Sequence, residues 1–245
     1  MKSLKTIFNE WAQKADNAYI EKQWILSKWE ILDGIDWPAS KIDLLFQTIR
    51  RGLKLNQSDS LVDIGCGGGW IFTGLKPHAR KVTGLDFSLE MLKHAQIAGK
   101  GSDLICGDAL HLPVKDGSFD CAICYFVFVN FSNSEDVTQA IREMMRVLKK
   151  GGRALIGHVP DRNFSSVYDV AKKEYLEYCH KTFAVGKNIR DDCLIQVYTL
   201  ERKFFMELLE KEKIAYQIRD SFNPFYRPGQ PETVEWRFDV VLEKN

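Results

Sequence analysis

Three carboxylates, Asp63, Asp86 and Asp108, each end or follow an apolar run that reads as a β-strand. Two glycines, Gly65 and Gly67, stand just beyond the first of them, with Cys66 between. Glycine carries no Cβ and accepts positive φ, so such a turn lets a ligand lie against main chain. Asp63 sits among Val and Ile, where a carboxylate is costly unless a cation or donors meet it. It suits the positively charged end of a ligand. Asp86 follows Gly65 by about 20 residues, the separation at which an acid meets ribose hydroxyls. Asp108 can accept from an exocyclic amine, the Ala109 N–H can donate to a ring nitrogen, and Phe87 offers an apolar wall to a base. Any one of these acids alone reads as a cap or turn residue. All three, in order at the ends of successive strands, point to a nucleoside in the crevice of a doubly wound sheet.

The elements that must position them follow from periodicity. Strands are expected at Ser60–Ile64, Lys81–Leu85, Asp103–Cys106, Phe119–Tyr125 and Arg153–His158, alternating with helices, the pattern of an α/β parallel sheet. A short helix follows the glycines to about Lys76 and is stopped by Pro77. Ser88 caps the next. Ser132 and Glu135 form a capping box for a helix carrying Val137, Ile141, Met144 and Leu148, which Lys149, Lys150 and Gly151 end. Thr199 caps a later helix. Strands at Ala215–Asp220 and Trp236–Leu242 are joined too briefly for a crossover, so they pair antiparallel. The expected architecture is a doubly wound, seven-stranded, mostly parallel sheet whose last strand is antiparallel. Residues 1–59 read as amphipathic helices that pack on this sheet or form a lid over it. Their last helix has Ser40 and Asp43 as its cap pair. Residues 60–158 and 199–245 make the α/β core, and residues 159–198 an aromatic helical insertion on the acceptor side.

Composition excludes several classes. The 34 Lys+Arg balance 33 Asp+Glu for a net charge of +1, which gives no electrostatic grip on nucleic acid or on an anionic membrane. No apolar run is long enough to span a bilayer and no signal peptide is evident, so a cytoplasmic protein is expected. The six cysteines form no disulfide framework. Cys121 and Cys124 have C-x-x-C spacing, but in a strand residues three apart face opposite sides, so they read as buried thiols and no metal site is expected. A dinucleotide fingerprint needs glycine where this chain has Trp70. Asn223-Pro224-Phe225-Tyr226 has the composition of an adenine-methylating motif, but it follows the sixth strand and reads as a turn.

The run Val62–Gly69 resembles motif I of the class I S-adenosylmethionine (SAM) methyltransferases. Gly84-Leu85-Asp86-Phe87-Ser88 looks like the next motif. Gly107-Asp108-Ala109-Leu110-His111-Leu112-Pro113, continuing to Gly117-Ser118-Phe119-Asp120, is similar to a run of the UbiE-like small-molecule methyltransferases. Met145-Arg146-Val147-Leu148-Lys149-Lys150-Gly151-Gly152 matches the helix end before their fifth strand. The resemblance covers about residues 60–158. It implies SAM as cofactor and S-adenosylhomocysteine as product. Gly65, Cys66 and Gly67 would hold the methionine part, Asp86 the ribose, and Asp108 with Ala109 the adenine. Cys124 and Tyr125 would lie near the amino group and sulfonium, Asp63 would serve the ligand's positive end, and Tyr19 would be the lid tyrosine. Many members of that family carry histidines shortly after strand 4, where this chain has Val129 and Asn130.

Methyl transfer from SAM needs a general base only if the acceptor holds its proton at neutral pH. His158, ending the fifth strand with Asp161 close behind, is the catalytic candidate, and His111 a weaker one. A small-molecule acceptor is expected, an oxygen of a polar metabolite or glycan-pathway intermediate. The competing reading is a SAM-binding regulator or assembly subunit without turnover.

Overall fold

A computed structural model describes residues 39–164, 198–222 and 231–245, with Lys5, Thr6, Asn9, Gln13 and Ser166 as single residues besides. Tyr19, most of the expected lid, nearly all of the insertion and Asn223–Tyr226 lie outside them.

Seven strands form one sheet: β1 (Ser60–Ile64), β2 (Lys81–Asp86), β3 (Asp103–Cys106), β4 (Phe119–Tyr125), β5 (Leu148–Pro160), β6 (Ala215–Phe222) and β7 (Thr233–Glu243). Their order is β3-β2-β1-β4-β5-β7-β6. β1 pairs in parallel with both β2 and β4, while β7 runs antiparallel between β5 and β6. The chain winds outward from β1 to β3, then returns to lay β4 on the other side. The β1–β4 boundary is therefore the switch point, and its carboxyl edge the natural crevice.

Among the described residues five α-helices cover the two faces: α1 (Ala39–Leu53), α2 (Trp70–Leu75), α3 (Leu89–Ala98), α4 (Ser134–Val147) and α5 (Arg202–Lys211). Alternation along the strands divides the core in two. Val62, Ile64, Cys124 and Ile156 pack with Ile141 and Met144 of α4 and Phe205 of α5. Leu61, Cys121, Ile123 and Leu155 pack with Leu45 and Ile49 of α1 and Phe72 of α2. Each such side chain, wholly withdrawn from water, contributes about 1.5–3 kcal/mol. Cys121 and Cys124 thus fall in opposite layers, as their spacing predicts, and both are fully buried thiols. Among the described residues no helix is long and apolar enough to cross a membrane, and no cluster of three metal-ligating side chains forms.

Ser88 caps α3 as expected, its hydroxyl accepting the Met91 N–H at 3.2 Å. Other boundaries differ. α1 already includes Ala39, so Ser40 lies inside the first turn rather than ahead of it. The cap of α4 is Asn133, whose Oδ1 accepts from Asp136 N at 2.8 Å, one residue beyond the expected Ser132. α4 ends at Val147 because Leu148 pairs with Phe119 and starts β5, so Lys149–Gly151 belong to strand rather than to a helix stop. Thr199 cannot begin α5: Leu200 N donates to Pro160 O, and Leu200 forms a bridge with Asp161, so the helix starts after Glu201, which makes no side-chain cap bond.

Candidate cofactor crevice and proton-acceptor cluster

The glycine turn leaves the carboxyl end of β1 with φ of 76° at Gly65 and 52° at Gly67. Both N–H groups of Gly65 and Cys66 donate to Leu85 O, at 2.7 and 2.9 Å, which folds the turn back over β2. A Cβ on Gly65 would collide with Val127, whereas one on Gly67 would meet nothing within 4 Å. Gly65 therefore serves packing, and Gly67 leaves open space where a side chain would stand.

Asp86, buried at the end of β2, locks the turn. Its Oδ2 accepts from Gly67 N at 2.9 Å and its Oδ1 from Ser88 N at 2.8 Å. Burial pushes its carboxyl up, and the Ser88 and Gly67 donors pull it partly back. Asp63 is 2% exposed and its Oδ2 has no hydrogen-bond partner. Burial and the charge of Asp86 push its carboxyl up to about 7. A desolvated carboxyl that takes the Phe72 main-chain N–H on one side and leaves Oδ2 unpartnered fits a ligand with a cationic end, as SAM has. The acids and glycines fit that cofactor on this ground.

Asp108 and Ala109 follow β3 on the same edge of the sheet. Asp108 is exposed and accepts the Leu110 N–H at 2.9 Å, an Asx-type turn. α4 holds this loop in place. Arg146 donates to the carbonyls of Leu112 at 2.9 Å and Val114 at 2.7 Å, Glu143 accepts from Leu112 N at 2.7 Å, and Gln139 donates to Leu110 O at 3.1 Å. Phe87 is half-buried between Asp86 and Ser88. His111 is exposed and pairs back to Asp108 in a bridge.

Two expectations meet the core instead. The Cys124 and Tyr125 side chains are 0% and 3% exposed and lie in opposite layers. Burial pushes both groups well above their usual values. Only their main chain can face the crevice edge. Asp161 does not pair with His158: its carboxylate takes Arg202 Nε at 2.9 Å and the Asn163 N–H at 3.1 Å.

His158 is fully buried at the carboxyl end of β5. Its φ is 62°, and Phe126, just past β4, has the same value. Positive φ is strained for any side chain and a true outlier for a bulky aromatic. The two rings meet edge to face with centroids 4.4 Å apart, and Tyr125 stacks on the imidazole at 6.0 Å. Gly157 makes room for this, since a Cβ there would enter the Tyr125 ring. A break in β5–β7 register between Ile156 and Val159 sends the His158 N–H to Asp239 Oδ1 at 3.0 Å, away from the ladder. Nδ1 lies 3.2 Å from Ser221 Oγ, and Nε2 has no partner. Burial and Arg237 hold the imidazole well below its usual value, so it is neutral at physiological pH. Phe126, Val127, Ser221 and Asp239 carry no motif that sequence reading could have singled out. A groove of about 580 Å³ opens instead at the opposite, amino-terminal ends of β1–β4, by Ser60, Lys81, Asp103 and Ser118.

A methyltransferase-domain family model matches residues 62–156. A demethylmenaquinone methyltransferase of Corynebacterium kroppenstedtii is 33% identical over 65% of this chain and 67% of its own. One from Deinococcus radiodurans is 39% identical over 68% and 69%. Against another, from Thermotoga maritima, the chain spans 56% of the relative's length. A SAM-dependent methyltransferase structure from Methanosarcina mazei shares the fold with a TM-score of 0.55 at 20% identity, over 80% of this chain and 96% of that one. With the glycine turn, the three acids and this coverage together, the chain belongs to the UbiE-like group of class I SAM-dependent methyltransferases.

Proposed function

We propose that this chain transfers the methyl group of SAM to a small ring-bearing acceptor, whose nucleophile is a hydroxyl oxygen or the ring carbon beside it, with His158 taking the hydroxyl proton. The observation that carries the cofactor side is the unpartnered buried oxygen of Asp63 on the strand that leads into the turn, where the Cβ side of Gly67 is open. SAM supplies a methyl already activated by its sulfonium. What remains for the protein is binding, alignment and exclusion of water.

In this reading Gly65, Cys66 and Gly67 hold the amino-acid portion through main-chain carbonyls, their N–H groups donating to Leu85 and Asp86, and Asp63 meets its cationic end. The Asp86 carboxylate already accepts from the main-chain N–H groups of Gly67, Ser88 and Phe87, and keeps one lone-pair site for a ribose hydroxyl. Asp108 and Ala109 hold the adenine edge, against Phe87. His158 Nε2 accepts the acceptor's proton.

The quoted relatives are named for demethylmenaquinone, a ring compound. An oxygen preference and a glycan-pathway acceptor have no counterpart in those names. Removing the proton of a ring hydroxyl activates both the oxygen and the neighbouring ring carbon, so one base serves either outcome. Binding without turnover is not favoured.

The test is incubation with methyl-deuterated SAM and a panel of phenols, quinols and sugars, read by mass spectrometry. A labelled ring compound is expected, with turnover falling about 10²–10⁴-fold in His158→Ala while SAM affinity holds. Label on sugars alone, or undiminished turnover in His158→Ala, contradicts the reading.

A further inference from the structure

The register breaks in β5–β7 and β6–β7 bring three residues from three strands together: His158, Ser221 and Asp239. All three are 0% exposed. Asp239 Oδ1 accepts the His158 main-chain N–H at 3.0 Å and the Ser221 hydroxyl at 2.7 Å. Its Oδ2 faces Arg219 Nη2 at 3.5 Å, and Arg219 in turn donates to Thr48 O of α1 at 3.1 Å. Arg237 Nη1 donates to His158 O at 3.0 Å. The charged and titratable groups around the imidazole are thus Asp239 and Arg237 on β7, Arg219 on β6 and Tyr125 on β4.

A serine hydroxyl has one hydrogen to give. In the 2.7 Å contact Ser221 is the donor to Asp239 Oδ1, which also accepts the His158 N–H, while Arg219 faces the same carboxylate. Ser221 Oγ then has only lone pairs left for His158 Nδ1, 3.2 Å away. The neutral ring must bring its own hydrogen to that contact. We infer that Ser221 and Asp239 are positioning residues that fix His158 in the Nδ1–H tautomer, leaving the lone pair on Nε2 as the proton acceptor. The hydrogen-bond direction runs from His158 through Ser221 to Asp239, and the second contact, main-chain N–H to the same Oδ1, anchors the backbone that carries the ring. This is what the positive φ of His158 secures: a ring pinned at both its main chain and Nδ1.

The catalytic meaning rests on His158 being the base, but the tautomer is measurable without turnover. In the full chain with ¹⁵N-labelled histidine, long-range proton–nitrogen spectra distinguish the two neutral forms, and His158→Gln assigns the signal among five histidines. An Nδ1–H signal for His158 between pH 6 and 8 is expected, mixed with the other tautomer or broadened in Ser221→Ala and recovered in Ser221→Thr. An Nε2–H signal in the unaltered protein overturns the inference, as does an unchanged spectrum in Ser221→Ala. Once an acceptor is identified, turnover separates the two claims. Full turnover in His158→Ala removes the base and with it the catalytic meaning of the cluster. Slow turnover in His158→Ala with normal turnover in Ser221→Ala keeps the base and overturns the positioning role. A roughly 10-fold fall in turnover for Ser221→Ala, with SAM affinity unchanged and Ser221→Thr restoring it, supports both.

Discussion

At the residue scale, Gly67 and Asp63 separate the demands of a ligand from those of the fold. The site of a Cβ on Gly67 is open, but its φ of 52° disfavours an L-residue by about 1–2 kcal/mol. Gly67→Ala is therefore expected to melt only a few degrees lower while losing at least about 10-fold in SAM affinity by calorimetry. Equal affinity would show that no ligand approaches there. Asp63 makes a prediction about pH. Its carboxyl is held up to about 7, so the folded protein binds that proton more tightly than the unfolded chain. The contribution of Asp63 to stability then drops as pH rises from the unfolded value of about 4 to about 7, and is flat above. Urea melts of ligand-free protein at pH 5 and pH 8 should show this fall, and Asp63→Asn should flatten it. An identical slope in both proteins would contradict the burial argument. With a cationic ligand in place the same carboxyl should lose its proton, so SAM binding near pH 7 should release protons to the buffer.

At the scale of elements, the sequence carried what period and spacing encode. Strands β1, β3 and β4 begin and end where alternation places them, because each is flanked by a glycine or turn residue that stops the pattern. The antiparallel pair β6–β7 followed from connection length alone. Helix starts were less legible: Asn133 outcompeted Ser132, and the bridge between Asp161 and Leu200 displaced Thr199, the latter through a contact invisible locally. The acids and glycines of the crevice were legible because motif spacing records them. Ser221 and Asp239 were not, because register breaks far apart in the chain bring them to His158. Arg146 shows how one element holds another's loop in place. It ties α4 to the loop after Asp108 through two carbonyls and Glu143. Arg146→Ala should strand those carbonyls, cost about 1–3 kcal/mol of stability, and raise the SAM dissociation constant more than it slows turnover with SAM saturating. A change in turnover with unaltered binding would detach the loop from the cofactor.

For the whole molecule, one sheet carries a buried layer on each side, with its switch point at the β1–β4 boundary. The layers are separable by mutation. Phe205 is buried in the α5 layer, on the face opposite Asp63, so Phe205→Ala should cost about 3–5 kcal/mol in denaturant melts yet leave SAM affinity within a few-fold. The central claim is that Asp63, Gly67 and Asp86 hold SAM at the carboxyl edge of β1 and β2. Its most direct test is calorimetric titration of the folded chain with SAM and with S-adenosylhomocysteine, beside Asp86→Ala. The account predicts saturable binding of both ligands and a loss of at least about 10-fold in Asp86→Ala, where both the locked turn and the ribose acceptor are gone. No heat from either ligand, or equal affinity in Asp86→Ala, would contradict it.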